Sequence, residues 1–221
     1  EQLKVRIRGE PGVGMDETSW NILTETENSY AWVMTGMQSK ESVYMLGENR
    51  GGGHTTDLQG ANYSGFSVTD DFGAYRKLPN HQLCWAHLIR KFRDLATSKE
   101  MPEQHAYHVE QYKTVADIFS DIERNRDEST YAHYAERLTR LATITPHDCK
   151  KLIRIKTTLF KNIPTYLTCL GNPLIPLTNN QSERSLRHLV LKRKISFGSF
   201  CKRTAENLSV LLSVLMSRNR L

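Results

Sequence analysis

Polar and apolar positions change rhythm along this chain. Through the first third they alternate in short runs. Residues 13–22 (VGMDETSWNI), 29–36 (SYAWVMTG) and 42–49 (SVYMLGEN) are rich in aromatic and β-branched side chains and separated by polar turns, so they predict strands. The loop NRGGGHT follows, and its three glycines lack the Gly-Lys-Ser/Thr ending of a phosphate loop. A short helix is expected near HTTDLQG. SGFSVTD then reads as a compact strand ending on acids, FGAYRKL as a short helix, HQLCWAH as a buried strand and LIRKFRDLATS as a helix. Strands followed by strand–helix alternation predict an α/β core with a mixed sheet.

From about residue 100 the period becomes helical. Tyr112, Val115, Ala116, Phe119 and Ile122 share one helix face. Tyr131, Tyr134, Ala135, Leu138 and Leu141 share another, with Ser129 as the expected cap. Pro146 is suited to open a third helix, with Cys149, Leu152, Ile153, Lys156 and Phe160 along one side. Pro173 and Pro176 punctuate the exit. A late helix follows, capped by Asn179, Asn180 or Ser182, with Leu186, Leu189 and Val190 as its inward stripe. Glu183 lies three residues before Leu186 and so falls on that stripe, where a solvated acid is out of place; a first-turn acid favoured by the helix dipole is the simpler alternative. ISFGSF reads as a turn or short strand and residues 203–219 as a closing amphipathic helix.

Charge adds a partner class. The 221 residues carry a formal net charge of +6. Residues 100–136 hold nine acids and three bases, which leaves +12 on the remainder. Five bases and no acid lie between Arg76 and Arg93, and seven bases with only Glu183 between Ser182 and Arg203. A basic working face beside an acidic module points to nucleic acid. The four cysteines, Cys84, Cys149, Cys169 and Cys201, are scattered without paired spacing, which favours a reducing compartment over a disulfide framework. No apolar run reaches the length of a membrane span.

Three acids stand where their chemistry is useful: Asp16 in the first strand, Asp70 at the end of the fourth, and Glu183 at the start of the late helix. Carboxylates are hard oxygen ligands suited to Mg²⁺ or Mn²⁺. Acids that hold metal among bases that neutralise a backbone suit a phosphodiester enzyme. Glu17 adjoins Asp16, but strand alternation sends neighbours to opposite faces, so only one of them serves. Cys84 and His87 in CWAH lack the second ligand pair of a structural zinc site. Trp20, Trp32 and Trp85 are expected in the core rather than stacked on bases.

Four stretches in order, DETSW at 16–20, VTDDFGAY at 68–75, LCWAHLIRKF at 83–92 and NNQSERSLRHLVLKRK at 179–194, cover the chain nearly end to end. Together they resemble the catalytic domain of DDE transposases, in particular the insertion-sequence-66 family. The resemblance implies an α/β, ribonuclease-H-like mixed sheet with flanking helices and an all-helical insertion before the catalytic glutamate. The corresponding boundaries are 1–99 for the first part of the core, 100–172 for the insertion and 173–221 for the closing part. It implies that Asp16, Asp70 and Glu183 are catalytic and hold two Mg²⁺ or Mn²⁺ ions. The family register, with Phe72 as its aromatic and Tyr75 as its tyrosine, selects Asp70 over Asp71, which is free to cap the following helix. Cys84 and His87 match a Cys-x-x-His signature near the active site of such enzymes. Arg90, Lys91, Arg184, Arg187, Arg193 and Lys194 lie nearest these motifs and are expected to contact DNA phosphates. The expected chemistry is hydrolysis at an element end followed by strand transfer into target DNA, by a homo-oligomer on double-stranded DNA in the bacterial cytoplasm, associated with the nucleoid and not with a membrane. A nuclease of the same fold without strand transfer and a catalytically silent DNA-binding remnant are the alternatives.

Overall fold

The computed structural model describes residues 1–26 and 28–218. They form two compact units, one made of residues 1–81 and 179–221, the other of residues 82–178.

The first unit is built on a sheet. Helix α1 (Gln2–Arg8) precedes strands β1 (Gly12–Trp20), β2 (Ser29–Gly36) and β3 (Ser42–Gly47). Helix α2 (Gly53–Gln59), strand β4 (Phe66–Thr69) and a 3₁₀ turn (Gly73–Tyr75) follow, and β5 (His81–Leu83) carries the chain into the second unit. The strand order is β3-β2-β1-β4-β5, with β1 antiparallel to β2 and parallel to β4. This is the expected mixed α/β sheet. Helices α7 (Asn180–Ser196) and α8 (Lys202–Arg218) complete the unit. Asn219, the last residue of the expected closing helix, lies outside the described residues.

Strand alternation divides the apolar residues between two faces. On one, Val13, Met15, Trp32, Met34 and Val43 pack with Ile7 of α1, Leu58 of α2 and Tyr75. On the other, Trp20, Ala31, Val33 and Tyr44 pack with Leu186 and Leu189 of α7 and Ala205 of α8. Burying a leucine contributes about 1.5–3 kcal/mol, so these two leucines contribute strongly to holding α7 on the sheet. Serines of α8 serve the edge strand β3. Ser213 Oγ accepts from the Tyr44 N–H at 2.9 Å and Ser217 Oγ from the Ser42 N–H at 3.2 Å. They occupy edge groups that would otherwise be open to another strand.

The second unit consists of α3 (Trp85–Ala96), α4 (His105–Arg124), α5 (Tyr131–Ala142) and α6 (Lys150–Tyr166). Trp85 is buried with Leu88, Phe92 and Leu95. Its indole N–H donates to the Tyr166 carbonyl at 3.0 Å, as does the Gln82 amide. At the other end Lys156 and Asp148 are both buried and paired at 2.9 Å, with Tyr107 donating to Asp148 at 2.7 Å.

Several expectations need correction. HQLCWAH is not one strand: β5 stops at Leu83, Cys84 is the N-cap of α3, and Trp85 to His87 are helical. The apolar positions Trp85, Leu88, Phe92 and Leu95 follow one helical stripe, which the expected strand–helix boundary cut in two. FGAYRKL closes only a 3₁₀ turn. Ser129 does not cap α5; Asp127 accepts the Ser129 N–H and caps a 3₁₀ turn before it. The third helix opens at Lys150, with the Cys149 sulfur accepting the Leu152 N–H, rather than at Pro146. Phe160 is exposed, whereas Lys156 is buried because Asp148 pairs with it. Helix α1 was not foreseen, although Leu3 and Ile7 stand four apart ahead of Gly9 and Pro11. The three tryptophans are core residues, as expected. Among the described residues no helix is long and apolar enough to cross a membrane.

Candidate active site

The first unit brings together the three acids singled out in the sequence. Parallel pairing aligns Gly14 of β1 with Val68 of β4. Asp16 lies two residues beyond Gly14 in β1, and Asp70 follows Thr69, the last residue of β4. Asp16 shares its sheet face with Gly14, the face covered by α7. Glu183 lies in the first turn of that helix.

Local bonds hold α7 in place. The Asn179 amide donates to the Met15 carbonyl at 2.7 Å, beside Asp16. Gln181 donates to the Gly36 carbonyl at 3.1 Å. Tyr44 donates through its hydroxyl to the Ser185 carbonyl at 2.8 Å, and Ser185 Oγ lies 3.0 Å from Ser42 Oγ. None of the proposed caps acts as one for α7: Asn179 occupies the N-cap position, but its side chain reaches across to β1. Gly14 permits the approach. A Cβ there would stand 2.3 Å from Ser182 Oγ and 2.6 Å from Asn179 Oδ1. Asn179 therefore fastens the start of the helix to the strand that carries Asp16, while Gln181 and Ser185 tie it to β2 and β3.

Asp16 is half-buried within reach of other acids. Burial pushes its carboxyl up to about 8, and the charges of Glu17, Asp70 and Glu183 push the same way; the Glu17 N–H, donating at 2.9 Å, opposes them. That influence puts Asp70 and Glu183 within electrostatic reach of Asp16. A carboxyl holding its proton to such a pH beside two others is what a divalent cation would relieve. Among the described residues, the ligand atoms of Asp16, Asp70 and Glu183 do not all lie within 4.8 Å of one another; as carboxylates, all three are oxygen donors of the kind that Mg²⁺ or Mn²⁺ takes. Asp70 is braced by its own turn, its Oδ1 accepting the Phe72 N–H at 3.0 Å. This corrects the expectation that Asp71 caps the turn.

Glu17 faces the other side of the sheet, as alternation requires. It is buried, receives hydrogen bonds from the Tyr75 hydroxyl and from both Nε and Nη2 of Arg50, and is raised by burial in spite of them. The Arg50 guanidinium lies 3.7 Å over the Phe72 ring. Glu17 is thus committed to an ion pair that ties the glycine loop to the turn after Asp70. Arg50 had been passed over as part of a loop. No local pattern marks it, because its partners are 33 and 22 residues away in sequence.

The expected DNA contacts differ in setting. Arg184, Arg187 and Lys194 are exposed on α7. Arg193 is tied to β1, donating to Thr18 Oγ1 at 3.0 Å and to the Ser19 carbonyl and hydroxyl. Arg90 is exposed and Lys91 half-buried on α3 of the second unit. Cys84 is buried at the start of that helix, and the half-buried His87 donates its backbone N–H to the Cys84 carbonyl at 3.3 Å.

Comparison with known proteins agrees with the motifs. The uncharacterized protein y4jO of Sinorhizobium fredii (strain NBRC 101917 / NGR234) is 31% identical over 144 residues. That stretch is 61% of this chain and 42% of y4jO, so the chain spans less than half of that relative. The sequence model described as "Transposase IS66 family" matches residues 1–207, nearly the whole chain, and on that match the chain belongs to the IS66 transposase family.

Proposed function

We propose that this chain is the catalytic core of a DDE transposase, with a ribonuclease-H-like sheet and Asp16, Asp70 and Glu183 as its acids. The observation that carries the reading is the setting of Asp16, whose carboxyl is raised first by burial and then by the charges of Glu17, Asp70 and Glu183. The strand order, with β1 central and β4 parallel beside it, supports the ribonuclease-H-like assignment.

In this reading the three carboxylates hold Mg²⁺ or Mn²⁺, which when bound polarises the attacking oxygen and stabilises the leaving one. The protein's own part is positioning. Asn179, Gln181 and Gly14 hold the start of α7 against β1, so Glu183 is presented at a fixed place. The Glu17–Arg50–Phe72 arrangement holds the turn after Asp70. Exposed Arg184, Arg187 and Lys194, with Arg90 and Lys91, neutralise DNA phosphates. In the first reaction water attacks the phosphorus at an element end, and the 3′-oxygen leaves and takes up a proton. In the second, that 3′-hydroxyl attacks a phosphodiester of target DNA, loses its proton, and displaces a target 3′-oxygen. Oligomers bridging two DNA ends perform both steps, with the helical insertion, residues 100–172, contacting partner subunits.

The test is Glu183→Gln, which keeps shape and removes charge. Metal-dependent cleavage and strand transfer from a pre-cut end should fall by orders of magnitude, since a misplaced ion forfeits several kcal/mol of transition-state stabilisation. DNA binding should hold or tighten slightly. Were Glu183 only a first-turn acid, it would contribute about 0.3–1 kcal/mol of helix stability and activity would survive its loss. Cleavage within about tenfold of the parent, a barrier change of only about 1.4 kcal/mol, removes Glu183 from the site.

A further inference from the structure

A groove of about 700 Å³ opens in the first unit between the glycine loop and the turn after Asp70. Its lining includes Arg50, Gly53, Phe72, Gly73, Arg76 and Lys77, and no acid. Arg76 and Lys77 belong to the basic run that points to nucleic acid, but neither they nor Arg50 is among the residues named above as DNA contacts.

Four features define what it takes. First, Arg76 and Lys77 are exposed, and neither forms an ion pair among the described residues, so two cations stand uncompensated. The third cation, Arg50, is neutralised by Glu17 but keeps a side chain 43% exposed. Second, the walls carry little side-chain bulk. A Cβ added at Gly53 or Gly73 would meet nothing within 4 Å, so a ligand can approach the backbone. Third, the groove adjoins the turn that carries Asp70: Phe72, part of its lining, donates its N–H to Asp70 Oδ1. Fourth, Phe72 is clamped under Arg50, which keeps that end of the groove in place.

We propose that this groove seats the sugar–phosphate backbone of the DNA strand running to or from the acid cluster, with Arg76 and Lys77 each neutralising one phosphate. The proposal rests on the transposase reading above for its choice of DNA. Phosphate is the chemistry that free cations beside bare backbone recognise, and a strand that reaches Asp70 must pass an adjoining surface. These contacts position the DNA and carry no sequence information.

The test is a salt titration of duplex DNA binding by the whole chain, parent against Arg76→Gln/Lys77→Gln. Losing two phosphate contacts should flatten the slope of log K against log salt by about 1.8. If the two lines converge near 1 M salt, affinity at about 0.15 M falls about 30-fold. Both side chains are exposed and unpaired, so the variant should melt with the parent. Gly73→Glu gives a second approach, adding an acid where space is open, and should weaken binding in the same salt-dependent way. Asp16→Asn, which leaves the groove intact, should abolish cleavage and keep the parent's slope. If the parent cleaves DNA while the double variant and Gly73→Glu keep its slope, the groove assignment is overturned and the transposase reading stands. A parent that neither binds nor cleaves DNA overturns both. Equal binding of a duplex RNA, with the same loss of slope in the double variant, overturns the assignment to DNA.

Discussion

The substitution Asp16→Asn should stabilise the metal-free protein, and by an amount that grows with pH. The folded state holds the Asp16 proton to about 8, against about 3.9 for an unfolded aspartic acid. Because the folded value is the higher one, its contribution to stability is fully present below about pH 4 and is lost as pH rises through about 8. At about 1.36 kcal/mol per unit, the parent loses about 4 kcal/mol from this group between about pH 5 and pH 8. Asparagine has the shape of the protonated acid and does not titrate. Parent and variant should therefore melt close together near pH 4, and the gap should widen as pH rises. Near pH 8 the variant should melt higher by about 8–15 °C, given 2–4 °C per kcal/mol for a chain of this size. The assay is differential scanning calorimetry of both proteins in a chelator across that range. Titrating groups remote from Asp16 cancel in the difference between them. Adding Mn²⁺ at about a hundred times its dissociation constant should restore about 2.7 kcal/mol to the parent and much less to the variant, which lacks a ligand. A gap in melting temperature that stays constant from pH 5 to pH 8 refutes the raised Asp16 carboxyl.

Two further outcomes follow from contacts away from the carboxylates. Gly14→Ala places a Cβ 2.3 Å from Ser182 Oγ; it should cost about 1–3 kcal/mol in a denaturant melt and depress cleavage more than DNA binding, because α7 is pushed off β1. Lys156→Met should cost about 3–5 kcal/mol, read by urea unfolding, since it leaves the buried Asp148 charge unpaired. Asp148 is held below the usual carboxylate range by the Thr145 N–H, Tyr107 and Lys156, which outweigh its burial. The stability this contributes is present above about pH 4 and lost as pH falls further, so the parent should lose stability in acid more steeply than the variant.

The sequence by itself determined the mixed α/β order, the burial of the three tryptophans, the helical middle and the three acids worth comparing. Those follow from periodicity and residue chemistry, which are local. Alternation also dictated that Asp16 and Glu17 point apart. Which face belongs to the acid cluster was decided by tertiary structure, because only packing puts α7 over Gly14 and Asp16, and Arg50 with Tyr75 over Glu17. The same limit explains the misplaced details. Asn179 reads as a helix cap until its amide finds the Met15 carbonyl 164 residues away. Lys156 reads as a stray cation on an apolar stripe until Asp148 meets it in the interior. Arg50 and Gly14 carry no local signal at all, one because its partners are distant, the other because its role is the side chain it lacks. A residue's period reports whether it is buried; which group it meets there depends on segments far apart in the chain, and only the folded structure brings them within a hydrogen bond's length.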